Sequence, residues 1–255
     1  VLSSRIKKIS WGGAGIVAKH LEAAGADVTF STLLGNDELG TFVGNEFKSS
    51  KIKFKPIIDK NRPTTNKNAI VVNDYRLLKI DKLDNTSIAT PILEKFCENI
   101  ASTDSDIVIF SDFRHGIFNK STIPVLTKKI PKKAFKAADS QVASRWGNIL
   151  EFQNFDLITP NEREARFSLG DQDSVIRPLA QNIMDKSNCK TLILKCGEDG
   201  LITYRSSSKI NPRAFFVLDS MVEHLVDPVG AGDALLAYAT LTLMVTKNEI
   251  ISSII

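Results

Sequence analysis

The 255-residue sequence predicts an α/β domain built on a largely parallel sheet with crossover helices. Two patterns carry that expectation. From about residue 103 onward, short β-rich runs alternate with helical stretches, and four of those runs end in polar or glycine residues. The composition agrees: 43% apolar and 24% charged residues, with 14 Gly and 9 Pro, suit one globular domain and exclude disorder and collagen.

In chain order, residues 14–24 read as a helix with Ile16, Val17 and Leu21 on one face, closed by Gly25 as C-cap. Residues 52–81 contain no good helix. Instead Ile52–Ile58, Asn68–Val72 and Leu77–Asp81 read as strands, the last two joined by a turn at Asn73–Arg76, and this antiparallel insert looks like a lid. The next strands are Asp106–Phe110, Ala134–Ala138, Phe155–Ile158 and Thr191–Leu194. They are followed by Ser111-Asp112, Asp139-Ser140, Thr159-Pro160-Asn161 and Lys195-Cys196-Gly197. Open α/β sheets bind ligands outside the carboxyl ends of their strands, so these polar groups collect at one edge where a site belongs.

The net charge of +4 comes from scattered lysines without an aromatic-interleaved basic stripe, so nucleic acid is not expected as a partner. No run reaches the ~18–20 apolar residues of a membrane helix. The N-terminus has no basic stretch followed by an apolar one. Cys97, Cys189 and Cys196 are odd in number and share no CxxC spacing, which argues against a disulfide framework or zinc site and for a reducing cytoplasm. His20, His115 and His224 are far apart. The chain starts at Val1 without Met and stops at Ile255 inside an apolar helical pattern, so residues 1–255 are expected to be one domain missing both ends.

The strongest local signal is Asp227-Pro228-Val229-Gly230-Ala231-Gly232-Asp233-Ala234 running into the apolar helix 235–245. A Gly-Ala-Gly turn at a helix start brings unpaired N–H groups and the positive end of the helix dipole to an anion. Asp233 has two readings there, a first-turn capping acid or a base for a hydroxyl attacking a phosphoryl group. Gly12-Gly13-Ala14-Gly15 is a second glycine-rich turn, either a plain entry to a helix or a close backbone approach to a polar ligand. It lacks the G-x-G-x-x-G order, no acidic residue stands about 20 positions after a proper fingerprint, and no Walker-type G-x-x-x-x-G-K-[ST] occurs, so a Rossmann oxidoreductase and an ordinary Walker nucleotide site are set aside. Asn161 and Glu164 share a helical face, as an N-cap with its first-turn acid or as oxygen ligands of a hydrated magnesium ion.

Taken in order, these segments resemble the ribokinase-like (PfkB-type) carbohydrate kinases over nearly the whole chain. The resemblance rests on Gly12–Gly15, Gly35-Asn36-Asp37-Glu38-Leu39-Gly40, Thr64-Thr65-Asn66-Lys67, Thr159–Ala165, Lys195–Gly200 and Asp227–Ala234. Lys67–Asp81 and Ser111–Gly116 look most like the bacterial heptose phosphate kinases. The resemblance implies a three-layer sandwich with a small antiparallel lid from about residues 1–11 and 52–81, and ATP- and Mg²⁺-dependent phosphorylation of a sugar or sugar phosphate. It implies Asp233 as catalytic base, Gly230, Ala231 and Gly232 as anion hole, and Asn161, Glu164, Lys195 and Gly197 at the nucleotide. Asn161 and Glu164 would hold Mg²⁺ through water. Gly12, Gly13, Lys67 and Asp112 would meet the substrate, and the lids would pair two copies. The chain departs from that pattern at Ile16, where an Asn usually bonds the sugar, and at Ala69, where heptose kinases usually carry Arg. The first-strand acid is also absent. A non-catalytic sugar- or nucleotide-binding relative and a nucleoside kinase of the same fold are therefore the alternatives.

Overall fold

The computed structural model describes residues 9–72, 75–141, 148–206, 214–222 and 229–254. Asp227 and Pro228, His224, most of the 1–11 segment and part of the Asn73–Arg76 turn lie outside them.

The central sheet has the order β10-β9-β8-β7-β6-β5. Strands β5 (Ile107–Asp112), β6 (Phe135–Ser140), β7 (Leu157–Ile158) and β8 (Thr191–Lys195) run parallel to one another, while β9 (Leu201–Arg205) pairs antiparallel with β8 and β10 (Phe215–Leu218) antiparallel with β9. The reason lies in the residues. Leu157, Ile158, Leu192, Ile193 and Leu194 are all 0% exposed, because strand side chains alternate between two faces and both faces are covered. Ile158, Leu192 and Leu194 join the core on one side, with Phe110, Phe152, Phe155, Leu179 and Ile183. Leu157 and Ile193 point to the other side, against Val17, Leu236, Ala237 and Leu243.

Helices α1 (Ala14–Ala23) and α7 (Ala231–Thr246) cover that second face. On the first face lie α3 (Thr90–Ala101), α4 (Thr122–Thr127), α5 (Glu162–Leu169) and α6 (Ile176–Ser187), and α8 (Glu249–Ile254) packs on α7 and β9. Gly25 closes α1 at φ 89°, in the left-handed conformation expected of it. Among the described residues, no helix is long and apolar enough to cross a membrane.

One expectation is corrected. Ile52–Ile58 does not join an antiparallel insert: β2 (Lys53–Asp59) runs parallel to β1 (Thr29–Gly35), from Thr29 opposite Lys53 to Gly35 opposite Asp59. The cause is α2 (Glu38–Lys48), a crossover helix whose Phe47 stacks on Phe54 with ring centroids 4.4 Å apart and meets the Trp11 ring at a tilt, 4.5 Å away. Only β3 (Asn66–Val72) and β4 (Tyr75–Lys82) form the antiparallel hairpin. Its root is tied by Asp37, which accepts hydrogen bonds from Gly40 N at 2.8 Å, Thr64 N at 2.8 Å and Thr64 Oγ1 at 2.7 Å. Gly35 must stay small there, since a Cβ on it would lie 2.5 Å from the Arg62 carbonyl oxygen.

Candidate active site

The carboxyl ends of β5, β6 and β8 and the start of α7 meet at one edge of the sheet. Gly230 caps α7 at φ 91° with no side-chain cap bond. It opens a 16-residue helix, whose first N–H groups have no partner within the helix and carry the positive end of its dipole. Asp233 in that first turn is 9% exposed. Burial and the nearby charge of Asp139 push its carboxyl up to about 6, against the pull of Lys195 and Lys67.

Lys195 ends β8, and its Nζ lies 3.1 Å from Asp139 Oδ2 at the end of β6. A Cβ placed on Gly232 would be 3.2 Å from that same Nζ, so the ammonium sits directly on the glycine turn. Asn161 and Glu164 form a capping box at the start of α5: Glu164 N donates to Asn161 Oδ1 at 2.9 Å, and Asn161 N donates to Glu164 Oε2 at 2.8 Å. The expected shared face is present, built as a helix cap. An isolated parallel bridge pairs Asn161 with Lys195, so the two segments lie side by side. Next to them a cavity of about 510 Å³ is lined by Asn161, Arg163, Lys195, Cys196 and Gly197, among others.

The other half of the site lies under the hairpin. Gly13, the N-cap of α1, has φ 55°, and a Cβ on it would lie 2.7 Å from the Phe113 ring. A Cβ on Gly12 would meet nothing within 4 Å. Lys67, on β3, is exposed and stands 5.2 Å above the Phe113 ring; partial desolvation first, then the charge of Lys79, lowers its pKa, while Asp81 and Asp233 oppose that shift. Across the hairpin Lys67 faces Asp81, and Ala69 faces Lys79. Lys79 thus stands opposite Ala69, ion-paired with Asp81 at 3.2 Å and within electrostatic reach of Lys67.

Asp112, expected at the substrate, is 2% exposed and turned inward. Its Oδ1 accepts from Arg114 N at 2.7 Å, and its Oδ2 accepts from Ser140 Oγ at 3.0 Å and lies 2.8 Å from Arg114 Nε. Arg114 also reaches Glu151 at 3.0 Å. Burial raises the Asp112 carboxyl to about 6, with Arg114 opposing. The network fixes the turn after β5, where Arg114 holds a left-handed φ of 57° and the chain presents Phe113 and His115 toward the hairpin. Burial and the Lys67 charge lower His115 to about 4, and its Nδ1 lies 3.0 Å from Asn85 Oδ1.

From the sequence, Asp139 falls among the polar groups at the sheet edge, but no role is assigned to it, to Phe113 or to Lys79. Asp139 carried the same signal as Asp112, an acid at the carboxyl end of a buried strand. Lys79 is found only once the hairpin register is known.

The architecture is that of the ribokinase-like kinases. Over 95% of this chain the structure is similar to phosphofructokinase-2 from Escherichia coli, with a TM-score of 0.75, 17% identity and 79% of that chain covered. It is also similar to ribokinase from Thermotoga maritima, with a TM-score of 0.69, 19% identity, and 94% and 75% of the two chains covered. Residues 6–245 match the pfkB family carbohydrate kinases, and the chain belongs to that family. The family is one of carbohydrate kinases, phosphotransferases that act on sugar hydroxyls. Among curated relatives, the bifunctional protein HldE of Sulfurimonas denitrificans is 25% identical over 244 residues, covering 93% of this chain and 49% of the relative. That of Campylobacter fetus subsp. fetus is 28% identical over 234 residues, covering 89% and 48%. The chain spans about half the length of these relatives.

Proposed function

We propose that this chain transfers the γ-phosphoryl group of ATP to a hydroxyl of a sugar phosphate, of the heptose 7-phosphate class that the likeness to the HldE proteins suggests. The observation that carries the reading is Asp233, buried beside Gly230–Gly232 with Lys195 and Lys67 in electrostatic reach. The acceptor oxygen attacks the γ-phosphorus, its proton passes to the Asp233 carboxylate, and the bond to the departing ADP oxygen breaks. A carboxyl raised to about 6 is ionised at neutral pH yet more basic than an ordinary aspartate, which suits this step. The backbone N–H groups of Gly230, Ala231 and Gly232 and the α7 dipole stabilise the transferring charge. Lys195 and Gly197 border the cavity in which the nucleotide phosphates would lie.

Asn161 and Glu164 offer amide and carboxylate oxygens, the donor type that hydrated magnesium takes, and the capping box fixes them next to Lys195. When bound, magnesium neutralises phosphate charge. Gly12 and Gly13 would let the sugar approach the backbone, Lys67 and Lys79 would meet its phosphate, and closing the hairpin would exclude water. Asp112 serves this site by fixing the turn that carries Phe113 and His115. A homodimer through the hairpins is favoured by the apolar residues exposed there, including Val71, Tyr75, Leu77, Leu78 and Ile80. Cys97, Cys189 and Cys196 are all free, which supports a reducing, cytoplasmic setting.

The deciding experiment measures ATP consumption against a panel of sugars, sugar phosphates and nucleosides. Turnover is expected with a heptose 7-phosphate or a related phosphosugar and to be lost in D233N. Silence across the panel would leave a binding protein, and turnover confined to adenosine would make it a nucleoside kinase.

A further inference from the structure

Lys195 and Asp139 form a pair that the sheet does not need for its stability. Their side chains are 19% and 9% exposed, and they stand at the ends of two strands whose apolar residues already bury both faces. Lys195 cannot drift, because its backbone is bridged to Asn161 and its N donates to Pro160 O at 3.0 Å. Its Nζ lies 3.1 Å from Asp139 Oδ2 and against the Gly232 turn, where nothing bulkier than hydrogen separates ammonium from backbone. Asp139 Oδ1 is buried and, among the described residues, has no hydrogen-bond partner.

We propose that Lys195 is the cation that distinguishes a nucleoside triphosphate from a diphosphate by gripping the transferring phosphoryl group on the glycine turn, and that Asp139 is the positioning residue that holds it there. The proposal rests on the kinase reading above and assigns roles within it. An ammonium has three N–H donors and Asp139 engages one, so it can take phosphoryl oxygens without leaving its partner. The location picks out which phosphate. Gly232 adjoins Asp233, the group that must meet the attacking hydroxyl, so the phosphorus beside Lys195 is the one under attack. The departing diphosphate extends from that turn into the cavity, which Lys195 and Gly197 both line. Asp139 offsets the lysine charge before substrate arrives, so the turn does not trap stray anions as a bare cation would.

The test is calorimetric binding of ADP and of a non-hydrolysable ATP analogue to the intact chain. K195Q is expected to weaken the analogue roughly 10- to 100-fold, the loss of a charge-assisted bond, and ADP less than about 3-fold. K195R is expected to restore most of the preference. D139N is expected to lower the preference too, and to shift the acid limb of kcat/KM to lower pH, whereas K195Q shifts it to higher pH. The charged groups facing Asp233 are Asp139, Lys195 and Lys67, and the two substitutions remove opposite charges among them. If either single variant fails to fold, the charge-balanced D139N/K195Q variant is the one measured, and loss of discrimination is expected there. Equal weakening of ADP and analogue, or unchanged discrimination without Lys195, would overturn the proposal. An unsubstituted chain that binds neither nucleotide would instead overturn the kinase reading itself.

Discussion

Gly13 and Phe113 touch across the acceptor side of the site: the Cβ position of Gly13 is 2.7 Å from the ring, and the φ of 55° there is one that L side chains rarely adopt. Any larger residue must move the ring that lies beneath Lys67. G13A is therefore expected to cost about 1–3 kcal/mol from the positive-φ backbone alone, and more from the clash. The acceptor KM should rise while nucleotide affinity is retained. The double variant G13A/F113A should recover part of the stability but not the KM. Thermal melting and steady-state kinetics measure both.

Asp233 gives a prediction with a defined sign. Its carboxyl, raised to about 6, accepts a proton only when ionised, so kcat/KM should fall below about pH 6, approaching tenfold per pH unit. D233N should lower kcat by about 10²–10⁴-fold, the usual contribution of general acid–base catalysis, and abolish that limb. A pH–rate profile of both proteins tests it. An acid limb that survives in D233N would show that another group is responsible.

Asp112 and Arg114 should matter to stability before they matter to chemistry. D112A strips a buried guanidinium, 6% exposed on its side chain, of its nearest carboxylate, and is expected to cost about 3–5 kcal/mol. Chemical denaturation measures the loss. R114L should do comparable damage, because it leaves Asp112 uncompensated.

His115 makes the protein acid-sensitive in a definite window. Its folded pKa is lowered to about 4 from 6.5, so the unfolded chain takes up the proton first. The stability it contributes is present above pH 6.5 and is lost as the pH falls toward 4. The difference in melting temperature between wild type and H115Q should therefore change between those limits and be constant above them.

The hairpin predicts an association that depends on one face. L78E places a charge on an exposed apolar residue of β4, at 49% exposure, where it strains nothing in the monomer. It should leave the melting temperature nearly unchanged and shift the sedimenting species from dimer to monomer. A wild-type chain that sediments as a monomer at all concentrations would remove the hairpin pairing from the proposed function.

What could be read in the residues was the part specified locally. Thr191–Leu194 announces a buried strand by its unbroken apolar run, and Gly230–Gly232 ahead of an apolar helix announces an anion turn. The parallel pairing of β1 with β2 was hidden because it is set by Phe47 packing on Phe54 and Trp11, contacts between separate segments. The same holds for the two strand-end aspartates. Asp112 and Asp139 look alike in the chain, and only the fold decides that Arg114 claims one and Lys195 the other.

The alternation at Ala137 and Ala138, one facing each core, also fixes which way Asp139 points two residues later. A single inserted residue in β6 would exchange the two faces and carry the carboxylate away from Lys195. Apolar side chains that never meet a substrate thus act as the ruler by which the charges of the site are placed. Changes in strand length should be far less tolerated than changes in the loops beyond.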